Sequence, residues 1–189
     1  GSAVMVLPGI GDGTVSPQIR LTFALGLALV VTPILSVFLP ALPPEPSQVA
    51  VLIGTEVIIG IFIGTVSRFL LAALDLAGMI IAHTMSFSNA FVFNPTAAQQ
   101  TTVIGNLLGA LAVVLLFATD LHHMLLLAVM GSYKIFTPGA ILPVQDMSDM
   151  LAQALVFAFD IGLRFAAPFI IISLGIYFAM GITARLIPQ

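Results

Sequence analysis

The sequence predicts an all-α, membrane-associated protein whose long, broken helices pair as hairpins. Hydrophobic residues make up 60% of its 189 residues and charged residues only 7%, whereas about a quarter of the residues in soluble domains are charged. Too few polar side chains are therefore available to cover a water-exposed surface. Two apolar helical segments, 48–85 and 148–185, are also too long to cross a bilayer core of about 30 Å once. No segment alternates with a period of two, so strands are not expected.

The composition also excludes several functional classes. The chain has no cysteine, which excludes disulfides, thiolate metal sites and thiol catalysis. Its net charge is −3 and it has no run of Lys or Arg, so neither nucleic acid nor an anionic surface is an expected partner. The first 17 residues lack a basic segment, so no cleavable signal peptide is expected. The missing initiator Met suggests a piece of a longer protein. We treat residues 1–189 as one helical domain.

The first 20 residues are rich in glycine and proline and are expected to be a loop. Within them GIGDG (9–13) resembles a turn that cradles phosphate. It lacks the Gly-Lys-Ser/Thr of a P-loop and the strand–turn–helix setting of a dinucleotide site. A flexible turn is therefore favoured over a nucleotide site.

The first half of the remaining chain predicts two helices. Leu21 to Leu39 is apolar over a near-spanning length, with a kink expected at Pro33. The proline-rich stretch 41–47 ends this helix. Residues 48–85 would form a helix of about 55 Å, which must tilt steeply, break near Gly78 or project from the membrane.

The second half predicts three more apolar helical stretches. Val103 to Ala118 and Met124 to Met130 are separated by a short polar boundary. Residues 137–143 form a turn and connector. Residues 148–185 make the last long helix, with a kink expected at Pro168.

Small residues in the apolar helices predict close helix contacts. Gly60 and Gly64, and likewise Gly105 and Gly109, are spaced as Gly-xxx-Gly. Removing two side chains from one helix face lets another backbone approach closely. We favour contacts within the chain over a seam between subunits.

Charges inside apolar helices need partners. Asp160 and Arg164 are spaced i,i+4 and can pair on one helix face. Arg68 and Asp75 are about 10 Å apart by helical rise, so these two and Glu56 must find partners on other helices, other subunits or water. We interpret the charges as structural pairs between helices rather than as groups for transport or proton coupling, although intramembrane charges often have such functions.

The sequence Asp120-Leu121-His122-His123 raises the question of a metal site. Adjacent histidines on a helix point about 100° apart, which makes a poor chelate. We therefore expect a polar helix boundary, no metal and no other cofactor. No Gly-x-Ser-x-Gly and no acid–His–Ser set is present, so an enzyme is not expected.

Several stretches, in order along nearly the whole chain, carry a family resemblance. They are PGIGDGTVSPQIRL (8–21), EVIIGIFIG (56–64), LAGMII (76–81), SFSNAFVFNP (86–95), FATDLHH (117–123), FTPG (136–139) and MGITARLIPQ (180–189). No single motif is diagnostic, but together they resemble the FliR family, the R component of the flagellar and type III protein export gate.

The resemblance implies a non-enzymatic subunit of the bacterial inner membrane, in the flagellar basal body. Such chains assemble with P and Q subunits, alongside the A and B export components, into a closed helical channel for unfolded protein substrates. Residues 86–102 would then be a loop that plugs the channel. Its expected stopper and stiffening residues are Phe87, Phe91, Phe93, Asn94 and Pro95. The alternative is that these rings anchor the loop on neighbouring helices.

Two other functions remain open from the residues alone. A secondary transporter or channel for a small solute would place a midplane site around Glu56, Arg68, Asp120 or the Asp160–Arg164 pair, between two similar halves. No such halves are found in the sequence. An intramembrane enzyme has less support.

Overall fold

We describe a computed structural model of the chain. It describes residues 1–13, 15–37, 39, 43–85, 91–94, 99–140 and 142–186, with backbone only at 91–94 and 99–101. The elements are α1 (Ser2–Val6), α2 (Pro17–Leu35), α3 (Pro46–Thr84), β1 (Phe91–Asn94), β2 (Gln99–Thr102), α4 (Val103–Ala118), α5 (Leu121–Ile135) and α6 (Val144–Leu186). The predicted all-α fold is confirmed, with one short β-hairpin inserted between α3 and α4.

The N-terminal segment is more ordered than the sequence indicates. Residues 1–20 were expected to be a loop, but they contain α1 and the first turn of α2. Val4 and Leu7 are the largest fully buried side chains among the described residues. Five residues are too few to show a helical period, and burial against α3 supplies the stability that such a short helix lacks in isolation.

The helix termini follow their local chemistry. Pro17 occupies the first turn of α2, where its missing N–H costs nothing, and the Ser16 hydroxyl accepts a hydrogen bond from the Ile19 N–H at 3.5 Å. Thr102 caps α4 in the same way, accepting from the Gly105 N–H at 3.0 Å. Pro33 and Pro168 lie inside α2 and α6 without ending either helix.

Helix α3 is the centre of the fold. It runs without interruption for 39 residues, about 58 Å at 1.5 Å per residue, so of the three alternatives the break near Gly78 does not occur. It contacts α1, α4, α5, α6 and β2. Gly78 serves instead as a contact point, because a Cβ there would collide with the Gly105 backbone of α4.

The contact between α3 and α6 is also made by small residues. A Cβ on Gly162 would lie 2.9 Å from the Ala73 carbonyl oxygen. Ala73, Ala77 and Ala166 are fully enclosed there. Small residues at such contacts let backbones come close enough for dispersion forces to hold the helices together.

Strands were not expected, yet β1 and β2 pair antiparallel, with Phe91 opposite Thr102 and Asn94 opposite Gln99. The reason lies in the residue types: β1 is FVFN and β2 ends in two threonines, and aromatic and β-branched residues favour strands. Four residues are too short for a convincing two-residue period.

Much apolar surface faces outward. Within the described part of the chain, three helices, α2, α3 and α6, are long and apolar enough to span a membrane, and α4 with α5 forms a further candidate span bent by 75°. Only 11% of the most apolar window of α6 is buried within the chain. Lipid or other protein must cover the rest.

The glycine contact predicts a stability difference between two alanine substitutions in α3. Gly78→Ala should lower the free energy of unfolding by about 1–3 kcal/mol, because the new methyl overpacks the Gly105 backbone. Gly54→Ala is the matched control, since no heavy atom lies within 4 Å of its Cβ position and alanine favours the helix. Thermal unfolding in detergent measures both, and equal melting temperatures would contradict the close contact.

Candidate functional site

The polar groups of this chain join its segments to α3, beginning with the turn at residues 9–13. The Asp12 carboxylate accepts a hydrogen bond from the Gly9 N–H at 2.9 Å and lies 3.6 Å from the Arg68 guanidinium. Gly9 has a φ of 80°, a conformation that only glycine adopts readily. The Asp12 side chain therefore closes the turn through its hydrogen bond with the Gly9 N–H.

Two arginines converge on this turn. Arg68 donates through Nε to the Val6 carbonyl at 2.6 Å and through Nη2 to the Gly11 carbonyl at 3.1 Å. Arg20 donates to the same Gly11 carbonyl at 3.0 Å. The turn thus presents the Gly11 carbonyl oxygen to two cations, and the N–H groups of Gly9 and Gly11 are already bonded within the segment. An anion cradle needs free N–H groups, so this arrangement argues against phosphate binding.

Gly60 and Gly64 allow α1 to pack closely on α3. A Cβ on Gly60 would collide with Ser2, and one on Gly64 would lie 2.5 Å from Val6 Cβ. The Ser2 hydroxyl also donates to the Glu56 carbonyl at 3.4 Å. The structure thus places this Gly-xxx-Gly pair at a contact within the chain.

Asp75 faces α4 at the second Gly-xxx-Gly pair. A Cβ on Gly109 would collide with Asp75 Oδ1, and Gly105 lies against Gly78 one turn along. Asp75 Oδ1 is buried and has no hydrogen-bond partner among the described residues. Asp75 therefore differs from Glu56 and Arg68 of the same helix, whose side chains both have partners.

Glu56 joins α3 to α5. Its carboxylate accepts a hydrogen bond from the Tyr133 hydroxyl at 2.8 Å. The pair lines a cavity of about 230 Å³ whose wall also includes Ser2, Leu52 and Gly60. The partner comes from another helix, 77 positions along the chain.

The other charged residues singled out in the sequence pair with residues outside α3. Arg164 and Asp160 pair on α6 at 2.8 Å, with 77% and 48% of their side chains exposed. Asp120 lies at the bend between α4 and α5, 3.4 Å from His123. Along α3, Glu56 and Asp75 are about 28 Å apart by helical rise. The predicted charged residues therefore do not converge on one solute site.

The hairpin is tied to the helices at one strand. Thr102, buried at the end of β2, donates to the Gly78 carbonyl at 3.4 Å while it caps α4. Of the predicted plug residues, Phe91, Phe93 and Asn94 form β1, where the backbone alone is described. Phe87 and Pro95 lie outside the described residues.

Sequence reasoning missed several residues of these contacts. Asp12 and Tyr133 were not singled out, although an acid between two glycines and a tyrosine in an apolar helix are both polar groups that need a partner. Arg20 appeared only within the resemblance. Thr102 also caps α4, a role to which its hydroxyl is suited.

Together these features define an all-helical membrane protein whose charges fasten segments to a central helix. The family described as "Bacterial export proteins, family 1" matches residues 1–189, so the chain belongs to that family.

Named relatives agree with this family. The chain is 37% identical over its full length to "Flagellar biosynthetic protein FliR" of Caulobacter vibrioides, of which it spans 75%. It is 28% identical to the Escherichia coli protein of that name, over 98% of this chain and 70% of that protein. "Yop proteins translocation protein T" of Yersinia pestis is 27% identical over 79% of this chain and 58% of its own length. The chain spans about half the length of some relatives, such as the Bacillus subtilis protein, at 53%.

The contacts of Arg68 predict that Arg68→Met loosens the N-terminal segment. Charged hydrogen bonds contribute about 1.5–3 kcal/mol each, and partial exposure of Arg68 reduces this. Amide hydrogen exchange of Leu7 and Gly11 should therefore become about tenfold faster. In the matched variant Arg164→Met, those amides should be unaffected. Unchanged exchange in Arg68→Met would show that the turn is held by apolar burial alone.

Proposed function

We propose that the chain is a subunit of the bacterial flagellar, type III protein export gate. With P and Q subunits it forms a closed channel in the inner membrane that passes unfolded export substrates, with the A and B components as further partners. Its family membership and the names of its relatives support a role in flagellar and type III export. The chain supplies structure rather than catalysis in this proposal.

One observation carries the proposal for a multi-subunit assembly. Helix α6 has 43 residues, which corresponds to about 65 Å, twice the thickness of a bilayer core. Large apolar side chains project outward along most of it, including Ile171, Leu174 and Phe178, which are each about 70% exposed. Lipid can cover only part of such a length, so neighbouring protein subunits must cover the rest.

Purification tests this proposal directly. When the full-length protein is co-expressed with the P and Q subunits, an affinity tag on this chain should recover both in a defined complex. Expressed alone, the protein should aggregate or be degraded, because its outward apolar faces lack their partners. A stable monomer that binds a small solute would instead support a transporter. The separation of Glu56 and Asp75 along α3 gives that function no single site.

We further propose that residues 86–102 form the plug of the closed channel. The hairpin is fastened at Thr102 to Gly78 and to the start of α4, so it has a fixed base about which it can move. The aromatic residues Phe87, Phe91 and Phe93 would exclude water from a narrow pore. An ordered hairpin would move as one unit rather than as a loose loop.

The strand register supplies a test of this movement. Asn94 and Gln99 face each other across the strands, at a spacing of about 4.5–5.5 Å between Cα atoms that suits a disulfide. The natural chain has no cysteine, so Asn94→Cys with Gln99→Cys introduces a single bond. Because the hairpin is proposed to move as one unit, the oxidised gate should still export. Each single cysteine variant is the control, and a loss of export that reductant restores would show instead that the two strands must separate.

Deleting residues 91–94 tests the seal separately. The assembled gate that lacks them should conduct small ions at rest, since the plug no longer fills the pore. Conductance in planar bilayers measures this against the wild-type gate. An unchanged conductance in an intact complex would assign the aromatic residues to anchoring instead.

A further inference from the structure

The bend between α4 and α5 brings three metal-ligating side chains together. Helix α4 ends at Ala118, α5 begins at Leu121, and the two helices meet at 75°. Asp120 lies at the corner with a φ of 58°, so its carboxylate is carried beside the first turn of α5. One donor atom from each of Asp120, His122 and His123 lies within 4.8 Å of the other two.

The two histidine rings converge, although adjacent positions on a helix point about 100° apart. Their centroids are 4.1 Å apart and their planes are tilted by 37°. The His122 ring also lies 5.0 Å from the Phe117 ring at the end of α4. Rotation about the side-chain torsions has therefore overcome the divergence of the backbone positions, and the argument against a chelate does not hold for this corner.

A second observation points to a ligand at this corner. His122 Nδ1 is almost completely enclosed and has no hydrogen-bond partner among the described residues. A buried ring nitrogen without a partner is costly. A bound cation would satisfy such a nitrogen, and the Asp120 carboxylate, 3.4 Å from His123, offers a negative charge at the same place.

We propose that Asp120, His122 and His123 form a Zn²⁺ site. Two imidazoles and one carboxylate are donors that suit Zn²⁺. Two ligand atoms on one tetrahedral Zn²⁺ at about 2.0–2.1 Å each lie about 3.3 Å apart, so donors within 4.8 Å of one another need to close by at most about 1.5 Å. A fourth position is left for water or for a donor from another subunit.

The metal would fix the start of α5. All three ligands lie between Asp120 and His123, so bound Zn²⁺ would hold the connection against the first turn of α5. Metal binding by the folded state alone also stabilises that state. The site lies at the other end of α4 from the hairpin, and Phe117, which contacts His122, also lies against Gly9 of the N-terminal turn.

Zinc titration of the assembled complex tests the site. The full-length protein in its complex, purified through a tag without histidine and stripped with chelator, is titrated with Zn²⁺ against a chromophoric indicator. Wild type should bind one more Zn²⁺ per chain than His123→Gln, with Asp120→Asn at least about tenfold weaker than wild type. His83→Gln is the matched control, because His83 lies at the end of α3 outside the cluster, and it should bind as wild type does.

Two further readouts keep the result decisive. Zn²⁺ should raise the melting temperature of wild type and of His83→Gln but not of His123→Gln, whose side chain is 66% exposed and whose replacement should leave the fold intact. Co²⁺ substitution should give visible absorption that the same variant abolishes. Equal Zn²⁺ stoichiometry and affinity in wild type and His123→Gln, or no binding by wild type, would overturn the proposal.

Discussion

The architecture depends on the close approach of other backbones to α3. Where α1, α4 and α6 meet this helix, glycine or alanine occupies the contact, as at Gly60, Gly78 and Ala73. In an apolar environment there is little hydrophobic drive to bring helices together, so short-range dispersion over a smooth surface must provide it. The large apolar side chains are consequently left to face outward.

The charged residues of α3 make these apolar contacts specific for particular neighbouring segments. Glu56 binds Tyr133 of α5, Arg68 binds the turn that follows α1, and Asp75 faces Gly109 of α4. Each charge therefore marks the position of a different neighbour. A polar group in an apolar region is costly unless it meets its partner, so a shifted register would leave several groups unsatisfied.

This arrangement is suited to a part of a larger assembly. The closest helix contacts are made by small residues, whereas α2 and α6 present long apolar surfaces outward. The hairpin is held at Thr102 beside the α3–α4 contact. In the proposed gate, the helices would be the fixed frame and the tethered hairpin the element that moves.

The sequence by itself determined the helical content, because composition, apolar run length and proline positions are local properties. The start of α4 at Val103 and its end at Ala118 follow directly from the apolar run and its polar borders. The chemistry of Ser16 and Pro17 also explains the start of α2, although the apolar run alone led us to begin that helix at Leu21. These features need no knowledge of distant residues.

Only the tertiary structure decided what the polar residues contact. Arg68 contacts Val6, 62 positions earlier in the chain, and Glu56 contacts Tyr133, 77 positions later. Helical and strand periodicity cannot predict contacts between residues so far apart in sequence. Helix α1 and the hairpin are too short to show a period, and burial or pairing with the rest of the chain stabilises them. The converging rings of His122 and His123 depend on side-chain torsions and on Phe117, and backbone spacing does not specify these.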